Sequence, residues 1–427
     1  MLLPFGARAQ KPAAAPGPAA HPILNMTPVK PESEGFSSER LERLHALIQG
    51  EIDEKHLAGA VTILARHGKV VEYRTYGVRD VATGAPMTKG TIFRDYSMTK
   101  PVTGVAMMIL FEEGKWLPNV AQYIPEFAHL KVAQGEDADR KPVLVDPEHA
   151  PTMRELMSHS AGFSYGSGNP PVDALYREKK LMQSKNLQEM IDKLATIPLN
   201  YQPGKGWTYS LSMDVEGYIV EKLSGQSLPD FMHDHIFAPL GMKDAGFYVP
   251  ADKRSRFATN YRDDHSQLVV KAGSPPTDYT EQPTMPSGGG GLVSTAEDYY
   301  RFATMLKNGG ELDGKRILSP ATVKLMTSNH LPQEILTGKF GIGQHIMRPG
   351  FGYGYNCAVV FDPPEANLPD GKGTFFWDGA AGTWFWVDPT NDIVFVSMIQ
   401  RMGGGDNHPL VYRSHDVVYG ALVDPSK

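Results

Sequence analysis

The first regular pattern of apolar and polar positions begins after Ser37. Leu41, Leu44 and Leu47 recur at helical spacing behind this serine, so an amphipathic helix is expected over about residues 38–55. Two β-rich runs come next, and the His-Gly-Lys at residues 67–69 between them is typical of a hairpin turn. The chain therefore starts with a helix that has one apolar face to bury, followed by two paired strands.

The middle of the chain is predicted to be mainly helical and the last third mainly β. Apolar spacing predicts helices over about residues 101–114, 153–159, 187–195 and 214–223. Further on, Ser294 and Glu297 have the spacing of a capping box that would begin a helix running to about Leu306. Four β-rich runs separated by turn residues then lead to a final helix over about residues 409–422.

This order of elements predicts an α+β fold, in which strands from both ends of the chain meet in one antiparallel sheet with the terminal helices on a face. One catalytic domain is expected over residues 31–427, with an α/β lobe (about 31–96 and 288–427) and a mainly helical lobe (about 97–287). Residues 1–30 are expected to be a disordered or residual signal tail. Their Ala7-Arg8-Ala9 run resembles a cleavage site but lacks a basic segment before it, so export and a cytoplasmic location both stay open.

Charge and composition narrow the possible partners. The net charge of −6 and the lack of a dense Lys/Arg run argue against nucleic acid as a partner. No apolar run approaches the roughly 20 residues needed to span a bilayer, so no membrane span is expected. Cys357 is the only cysteine, which excludes an intrachain disulfide and a paired-cysteine metal site.

Two patterns could suggest ligand binding, but we interpret both as parts of the fold without a ligand. His233 and His235 have the spacing of metal ligands, but no third ligand is in register with them, so a solvated helix end is expected. Gly288–Gly291 is not followed by Gly-Lys-Ser/Thr and is therefore not a phosphate-binding loop. Neither a metal nor another cofactor is expected.

Two serines compete for the role of a catalytic nucleophile, and the first is Ser164. It lies in Gly-Phe-Ser-Tyr-Gly, which fits the G-x-S-x-G pattern of many esterases. That pattern works only where a strand leads into the serine and a helix leaves it. Here a helical segment precedes the serine and a loop follows it, so Ser164 is expected to lie in a surface-type loop and to be silent.

The second serine, Ser97, has a context that suits a nucleophile. It follows the strand-like run Thr-Ile-Phe-Arg-Asp-Tyr and comes just before a helix that is apolar on most faces and hence buried. The i, i+3 spacing puts the side chains of Ser97 and Lys100 on one helical face. A helix N-terminus favours negative charge at the serine, and desolvation lowers the pKa of the lysine, which can then accept a proton.

Two further elements come later in the chain. Tyr209 stands in Trp-Thr-Tyr-Ser-Leu-Ser, and a tyrosine paired with a lysine can carry a proton from nucleophile to leaving group. Taken alone, it would be interpreted as a core tyrosine. The run from Phe376 to Ala380 is a strand that ends in Gly379, which can let a substrate approach the backbone closely.

Together and in this order, these elements resemble the serine hydrolases of the β-lactamase/penicillin-binding fold, most closely the family VIII carboxylesterases and class C β-lactamases. The resemblance extends from about Pro31 to the C-terminus and includes Leu156–Phe163, Pro239–Tyr248 and Gly288–Leu306. It implies a β-lactamase/transpeptidase-like fold and an acyl-enzyme mechanism.

The resemblance also implies a role for each residue of the site. Ser97 would attack the carbonyl, and Lys100 and Tyr209 would share the base and acid roles. The backbone N–H groups of Ser97 and Ala380 would form the oxyanion hole. Water would release the acyl group without a cofactor.

The chain departs from its lactam-processing relatives at two places that would contact a substrate. Leu211 stands where they have the asparagine of Tyr-x-Asn, and Trp377-Asp378-Gly379 replaces their Lys-Thr-Gly. We therefore expect a substrate pocket formed by Trp377, Asp378, Gly379 and Leu211 that suits esters with uncharged acyl groups of short to medium length.

Three alternatives stay open: a β-lactamase or D-Ala-D-Ala carboxypeptidase, an acyltransferase on the same scaffold, and a binding module that has lost catalysis. The sequence does not give the oligomeric state or the physiological ester.

Overall fold

The computed structural model describes residues 23–139, 141–168, 171–264, 267–271, 278–336, 349–402 and 407–427. Most of the predicted N-terminal tail, residues 1–22, lies outside these ranges. Residues 23–30 run along the body of the protein: the Leu24 N–H donates to the Asp313 carboxylate and the Val29 N–H to the Val70 carbonyl.

The α-helices are α1 Ser38–Asp53, α2 Thr99–Glu112, α3 Met153–Met157, α4 Pro171–Lys179, α5 Leu187–Leu194, α6 Ser212–Ser224, α7 Leu228–Met232, α8 Ala238–Leu240, α9 Ala296–Lys307, α10 Pro320–Met326, α11 Gln333–Leu336, α12 Pro363–Ala366 and α13 Asn407–Ala421. The strands are β1 Gly59–Arg66, β2 Lys69–Asp80, β3 Ala85–Pro86, β4 Ile92–Arg94, β5 Val132–Glu136, β6 Pro142–Val145, β7 Tyr261–Asp263, β8 Leu268–Val270, β9 Val293–Thr295, β10 Glu311–Leu312, β11 Lys315–Arg316, β12 Phe351–Tyr353, β13 Ala358–Val360, β14 Thr374–Asp378, β15 Trp384–Asp388, β16 Ile393–Met398 and β17 Arg401–Met402.

The main sheet joins the two ends of the chain. Its strand order within the described residues is β12-β13-β14-β15-β16-β1-β2-β3, with antiparallel pairing throughout. The contact between β1 and β16 pairs Val61 with Met398. The antiparallel sheet of an α+β fold, built from strands that are distant in sequence, is therefore confirmed.

The terminal helices cover one face of this sheet, as predicted. Leu44 of α1 and Val418 of α13 are fully buried and belong to one apolar cluster with Trp386 and Phe395 of the sheet. The opposite face carries α9 and the helices of the middle of the chain, and their apolar side chains form a second, larger cluster. Burying both faces of the sheet gives the layered core that stabilises this fold.

Local signals explain how the first elements begin and turn. The Ser37 side chain accepts a hydrogen bond from the Arg40 N–H and caps α1. The two residues between β1 and β2, His67 and Gly68, both have positive φ, of 51° and 72°. Positive φ at both central residues is the requirement of a tight two-residue hairpin, so the predicted turn is confirmed.

The predicted capping box at the start of α9 is wrong by one residue. Thr295, not Ser294, caps this helix, and Asp298, not Glu297, completes the capping box. The Ser294 hydroxyl instead donates to the Asp95 carboxylate at 2.8 Å, because β9 pairs with β4 and brings these two side chains together.

Helix α2 lies at the centre of the protein and positions the candidate site. Its residues from Thr99 to Leu110 are all buried, so the helix contacts other parts of the chain on every side. A single 3-10 turn, Tyr96–Met98, connects it to β4. The same turn contacts β14, so the start of α2 lies beside this strand of the main sheet.

Candidate active site

Ser97 lies in the 3-10 turn at the start of α2, on the wall of a cleft of about 400 Å³. The turn is fixed on both sides: the Tyr299 hydroxyl donates to the Met98 carbonyl at 2.9 Å, and the Thr383 hydroxyl donates to the Asp95 carbonyl at 3.1 Å. A cleft of this size is within the range of small-molecule sites.

The residue before this serine is held in an unusual backbone conformation. Tyr96 has φ of 46°, in the left-handed region that a bulky residue seldom adopts. Its hydroxyl accepts a hydrogen bond from the Asn260 amide at 2.9 Å, and its ring packs edge-on against Tyr279. Backbone strain of this kind costs about 1–3 kcal/mol and clusters at functional sites.

Lys100 is fully buried beside Ser97. Its Nζ donates to Ser97 Oγ at 3.1 Å and to the Gly289 carbonyl at 2.6 Å, and it lies 4.5 Å from the centre of the Tyr209 ring. Burial lowers the pKa of the Lys100 amine to about 7, although the acidic groups Asp214, Asp378 and Glu216 oppose this effect. Near neutral pH the amine can therefore exist in the form that accepts a proton.

Tyr209 completes a cluster of three polar groups. Burial raises the pKa of its hydroxyl well above the ordinary value, although an interaction with Ser97 opposes this effect. The phenol is therefore neutral at physiological pH and can donate a proton. The structure thus brings together the three residues that the sequence nominated as catalytic.

His159 supports the loop that carries Tyr209. Its ring lies 4.8 Å from the Tyr209 ring, and its Nδ1 accepts from the Ser210 N–H at 3.2 Å. The His159 carbonyl also accepts from the Thr208 N–H at 3.1 Å. Burial lowers the pKa of His159 well below its usual value, so the ring is neutral.

The end of β14 packs tightly against the turn that carries Ser97. A Cβ on Gly379 would lie 2.2 Å from the Asp95 carbonyl oxygen and 2.3 Å from Thr383 Oγ1. The Gly379 N–H donates to the Thr383 carbonyl at 2.7 Å. Only glycine permits this approach to Asp95, and Ala380, whose N–H is expected to serve the oxyanion hole, is the next residue and is exposed.

The residues predicted to form the substrate pocket are placed differently from this expectation. Leu211 and Trp377 are each only 1% exposed, and neither is on the wall of the cleft. The Trp377 ring packs instead against Tyr209, with 5.5 Å between ring centres, and against Tyr353. Asp378 is half-buried and, like Gly379, does not line the cleft.

The cleft has a mainly aromatic and apolar wall that the sequence did not reveal. Besides Ser97 and the glycine segment 289–291, its lining includes Tyr165, Met182, Phe247, Tyr279 and Met285. These side chains come from several separate segments of the chain, and no local pattern connects them. Glu281 supplies an acidic group at the same cleft.

The expectation that Ser164 lies in a surface-type loop is wrong, because the residue is fully buried. Its Oγ accepts from the Gly166 N–H at 3.0 Å, and its own N–H donates to the Tyr176 hydroxyl at 3.2 Å. Neither partner is a base that could activate the serine. The Ser164 side chain instead stabilises a turn, and the residue after it, Tyr165, lines the cleft.

The other candidate patterns have ordinary surroundings. The His233 ring pairs with Asp234 and is exposed, while His235 contacts the Gln226 side chain. The described residues contain no group of three or more His, Cys, Asp or Glu that could hold a metal ion. Within the same part of the chain, no helix is both long and apolar enough to cross a membrane.

An antiparallel sheet with a serine and a lysine at the start of a buried helix is the architecture of the penicillin-recognising class of serine hydrolases, and comparison with known proteins agrees. The family model for beta-lactamase matches residues 44–418. Protein Rv1367c of Mycobacterium tuberculosis is 37% identical over 84% of this chain and 90% of its own length. Esterase EstB of Burkholderia gladioli is 31% identical over 88% of this chain and 94% of its own length.

The chain therefore belongs to the beta-lactamase family. The solved structure of EstCE1, a hydrolase with promiscuous acyltransferase activity, matches with a TM-score of 0.73 and 28% identity over 89% of this chain and 98% of its own. These relatives confirm the β-lactamase/transpeptidase-like fold, the serine hydrolase class and the likeness to carboxylic ester hydrolases that the sequence indicated.

Proposed function

We propose that the protein is a carboxylesterase that hydrolyses short- to medium-chain esters with uncharged acyl groups through an acyl-enzyme on Ser97. The observation that carries the proposal is the contact of 3.1 Å between Ser97 Oγ and the buried Lys100 amine, at the wall of a mainly apolar cleft. Kinship with EstB, an esterase, supports the same chemistry.

In the first half of the reaction, the neutral Lys100 amine takes the Ser97 hydroxyl proton as Oγ attacks the ester carbonyl carbon. The N–H groups of Ser97 and Ala380 donate to the carbonyl oxygen as it gains negative charge. One such donor is worth about 2.7–4 kcal/mol of transition-state stabilisation. The C–O bond to the alcohol then breaks, and the alcohol leaves with a proton delivered from Lys100 by way of Tyr209.

In the second half, a water molecule attacks the acyl carbon and gives its proton to the same Lys100–Tyr209 pair. The bond between Ser97 Oγ and the acyl carbon breaks, and the proton returns to the serine. The products are the free acid and the original enzyme. No redox step is involved, and atoms and protons balance over the cycle.

The surroundings of the serine favour an ester over a lactam antibiotic. A lactam drug carries a carboxylate, and hydrogen bonds to such charged groups are worth about 1.5–3 kcal/mol. Where lactam-processing relatives have a lysine, this chain has the buried, uncharged Trp377, with Asp378 next to it. The acidic Glu281 in the cleft also disfavours an anionic substrate.

Acyl transfer to an alcohol is the second candidate activity. It is supported by the similarity to EstCE1, whose acyltransferase activity is promiscuous. The apolar cleft next to Ser97 has room for an acceptor alcohol in place of water. Product analysis with an added primary alcohol would detect the new ester.

One experiment tests the proposed esterase directly. We expect kcat/KM for p-nitrophenyl butyrate to exceed that for nitrocefin by at least about tenfold to a hundredfold, the ratio that 1.4–2.8 kcal/mol gives. Ser97→Ala should abolish ester hydrolysis, and Ser164→Ala is the matched control that should stay within a few-fold. Equal turnover of nitrocefin and the butyrate ester would favour the β-lactamase alternative, and a phosphonate adduct on Ser164 would refute the assignment of Ser97.

A further inference from the structure

Two carboxylic acids are fully buried near the start of α6, close to the candidate catalytic lysine. They are Asp214 and Glu216. Burying a carboxyl group costs free energy unless the group is hydrogen-bonded, so the hydrogen-bond partners of each group indicate its role. Glu216 accepts from the Asn356 amide at 2.6 Å, whereas Asp214 contacts the segment that forms the wall of the cleft.

Asp214 and Lys100 both form hydrogen bonds with the backbone of Gly289, the aspartate with its N–H and the lysine with its carbonyl. Asp214 Oδ1 accepts from the Ser287 hydroxyl at 2.5 Å and from the Gly289 N–H at 3.2 Å. The carbonyl of Gly289 in turn accepts from Lys100 Nζ at 2.6 Å. The glycine therefore receives a hydrogen bond from the lysine and donates one to the aspartate, which links the two side chains through the backbone.

The segment 287–291 is fixed tightly between α2 and α6. A Cβ on Gly288 would lie 2.2 Å from the Met213 carbonyl oxygen, and one on Gly289 would lie 2.8 Å from Asp214 Oδ2. On the opposite side, the Thr103 hydroxyl donates to the Gly288 carbonyl at 2.7 Å. Three side chains thus hold this backbone: Asp214 accepts from the Gly289 N–H, Thr103 donates to the Gly288 carbonyl, and the Tyr279 hydroxyl donates to the Gly290 carbonyl.

We propose that Asp214 is a positioning residue for the reaction at Ser97: it fixes the Gly289 carbonyl, which holds the Lys100 amine against the serine hydroxyl. The inference rests on the proposed function, in which Lys100 takes and returns the serine proton. One N–H of the amine is committed to Gly289, so its remaining positions face Ser97 and Tyr209. When Lys100 gains a proton, the same carbonyl and the aspartate stabilise the ammonium group.

The charge of Asp214 has a second, separable effect on the lysine. The titratable groups that face Lys100 from the surrounding elements are Asp214, Glu216, Asp378, Tyr209, Tyr165 and His159. The three carboxyl groups raise the pKa of Lys100 and so oppose the effect of burial. Removing the Asp214 charge should therefore move the acid limb of the pH–rate profile to lower pH. Burial raises the pKa of Glu216 to about 8, so its carboxyl is mainly neutral near pH 7 and acts less on the lysine.

Three variants separate positioning from charge. Asp214→Ala removes the hydrogen bonds to Ser287 and Gly289, and it should lower kcat for p-nitrophenyl butyrate about tenfold to a hundredfold, the effect of losing a charged hydrogen bond. Asp214→Asn keeps an oxygen acceptor but loses the charge, so kcat should recover to within about tenfold of wild type while the acid limb moves to lower pH. KM should change little in both variants.

Glu216→Gln is the matched control on the same helix. It changes a buried carboxyl that also faces Lys100, but one whose hydrogen bond goes to Asn356 rather than to segment 287–291. Because burial raises the pKa of Glu216 to about 8, this carboxyl is mainly neutral near pH 7, and both the acid limb and kcat should stay near wild type. If Asp214→Ala lowers kcat no further than Glu216→Gln does, or if Asp214→Asn is as slow as Asp214→Ala, the positioning role is overturned.

Two additional measurements keep the test decisive. If circular dichroism shows that Asp214→Ala does not fold, Thr103→Val replaces it in the test. This variant removes the hydrogen bond between α2 and the same segment. It should lower kcat about two- to tenfold with KM unchanged, and an unchanged kcat overturns the proposal. Ser97→Ala is assayed alongside: if it stays active, the proposed function fails, whereas an inactive Ser97→Ala with a normal Asp214→Ala refutes only the inference.

Discussion

Replacing Gly379 by alanine is the most direct test of how β14 contributes to the candidate site. The added Cβ would lie 2.2 Å from the Asp95 carbonyl oxygen and 2.3 Å from Thr383 Oγ1. The first of these is a backbone atom two residues before Ser97. The contact can be relieved only by moving the end of β14 away from the turn that carries the serine.

The size of that movement sets the expected effect. Bringing the Cβ to an ordinary contact distance requires a shift of about 1 Å, and a misplacement of this size costs on the order of 10²-fold in rate. Loss of one oxyanion-hole donor gives a similar figure, about 10²–10³-fold in kcat. We therefore expect Gly379→Ala to lower kcat for p-nitrophenyl butyrate about a hundredfold or more, because the Ala380 N–H moves away from Ser97.

The assay compares kcat, KM and the melting temperature with those of Gly420→Ala. A Cβ on Gly420, in α13, meets no atom within 4 Å, so this control should be fully active. If Gly379→Ala folds and keeps its kcat within threefold of wild type, the strand end does not supply an oxyanion donor and the proposed role of Ala380 is wrong.

Three other predictions follow from the contacts described above. Because burial lowers the pKa of Lys100 to about 7, kcat/KM should rise with pH through that value, and an acid limb above pH 9 would contradict the base role. Tyr209→Phe should lower kcat by about 10²–10⁴ with little change in KM, whereas near-normal turnover would make the tyrosine purely structural. Burial alone would raise the pKa of Glu34, but bonds from Lys69 and His67 lower it below the usual 4.5. Its contribution to stability is therefore full above that pH and is lost as pH falls below it. Glu34→Gln should cost about 1–3 kcal/mol in urea unfolding at pH 7, and an unchanged midpoint would refute this.

The sequence predicted best those features that neighbouring residues determine. The hairpin at His67 and Gly68 and the closeness of Ser97 to Lys100 depend on a few consecutive positions, and the structure shows both. The capping box failed because Ser294 and Thr295 both fit the pattern. The choice between them depends on Asp95, a residue distant in sequence that takes the serine as a partner.

The cleft could not be predicted in the same way. Met182, Phe247 and Tyr279 come from segments that are distant in sequence, and only the packed fold brings them to one wall. Trp377 was expected to face the substrate because its position matches a lysine of lactam-processing relatives, but it is buried against Tyr209 and Tyr353. A large apolar side chain gains more from burial than a lysine does, so equivalent sequence positions need not give equivalent surfaces.

The pairing of β1 with β16 has a consequence for how the protein is made. Val61 leaves the ribosome long before its partner Met398. At about 5–20 residues per second, the interval is about 15–70 s. During this time the edge of β1 has no strand to pair with, and such an edge is prone to aggregation. The central sheet can therefore close only after β16 has been synthesised. A chain released before that point should be degraded as unfolded protein.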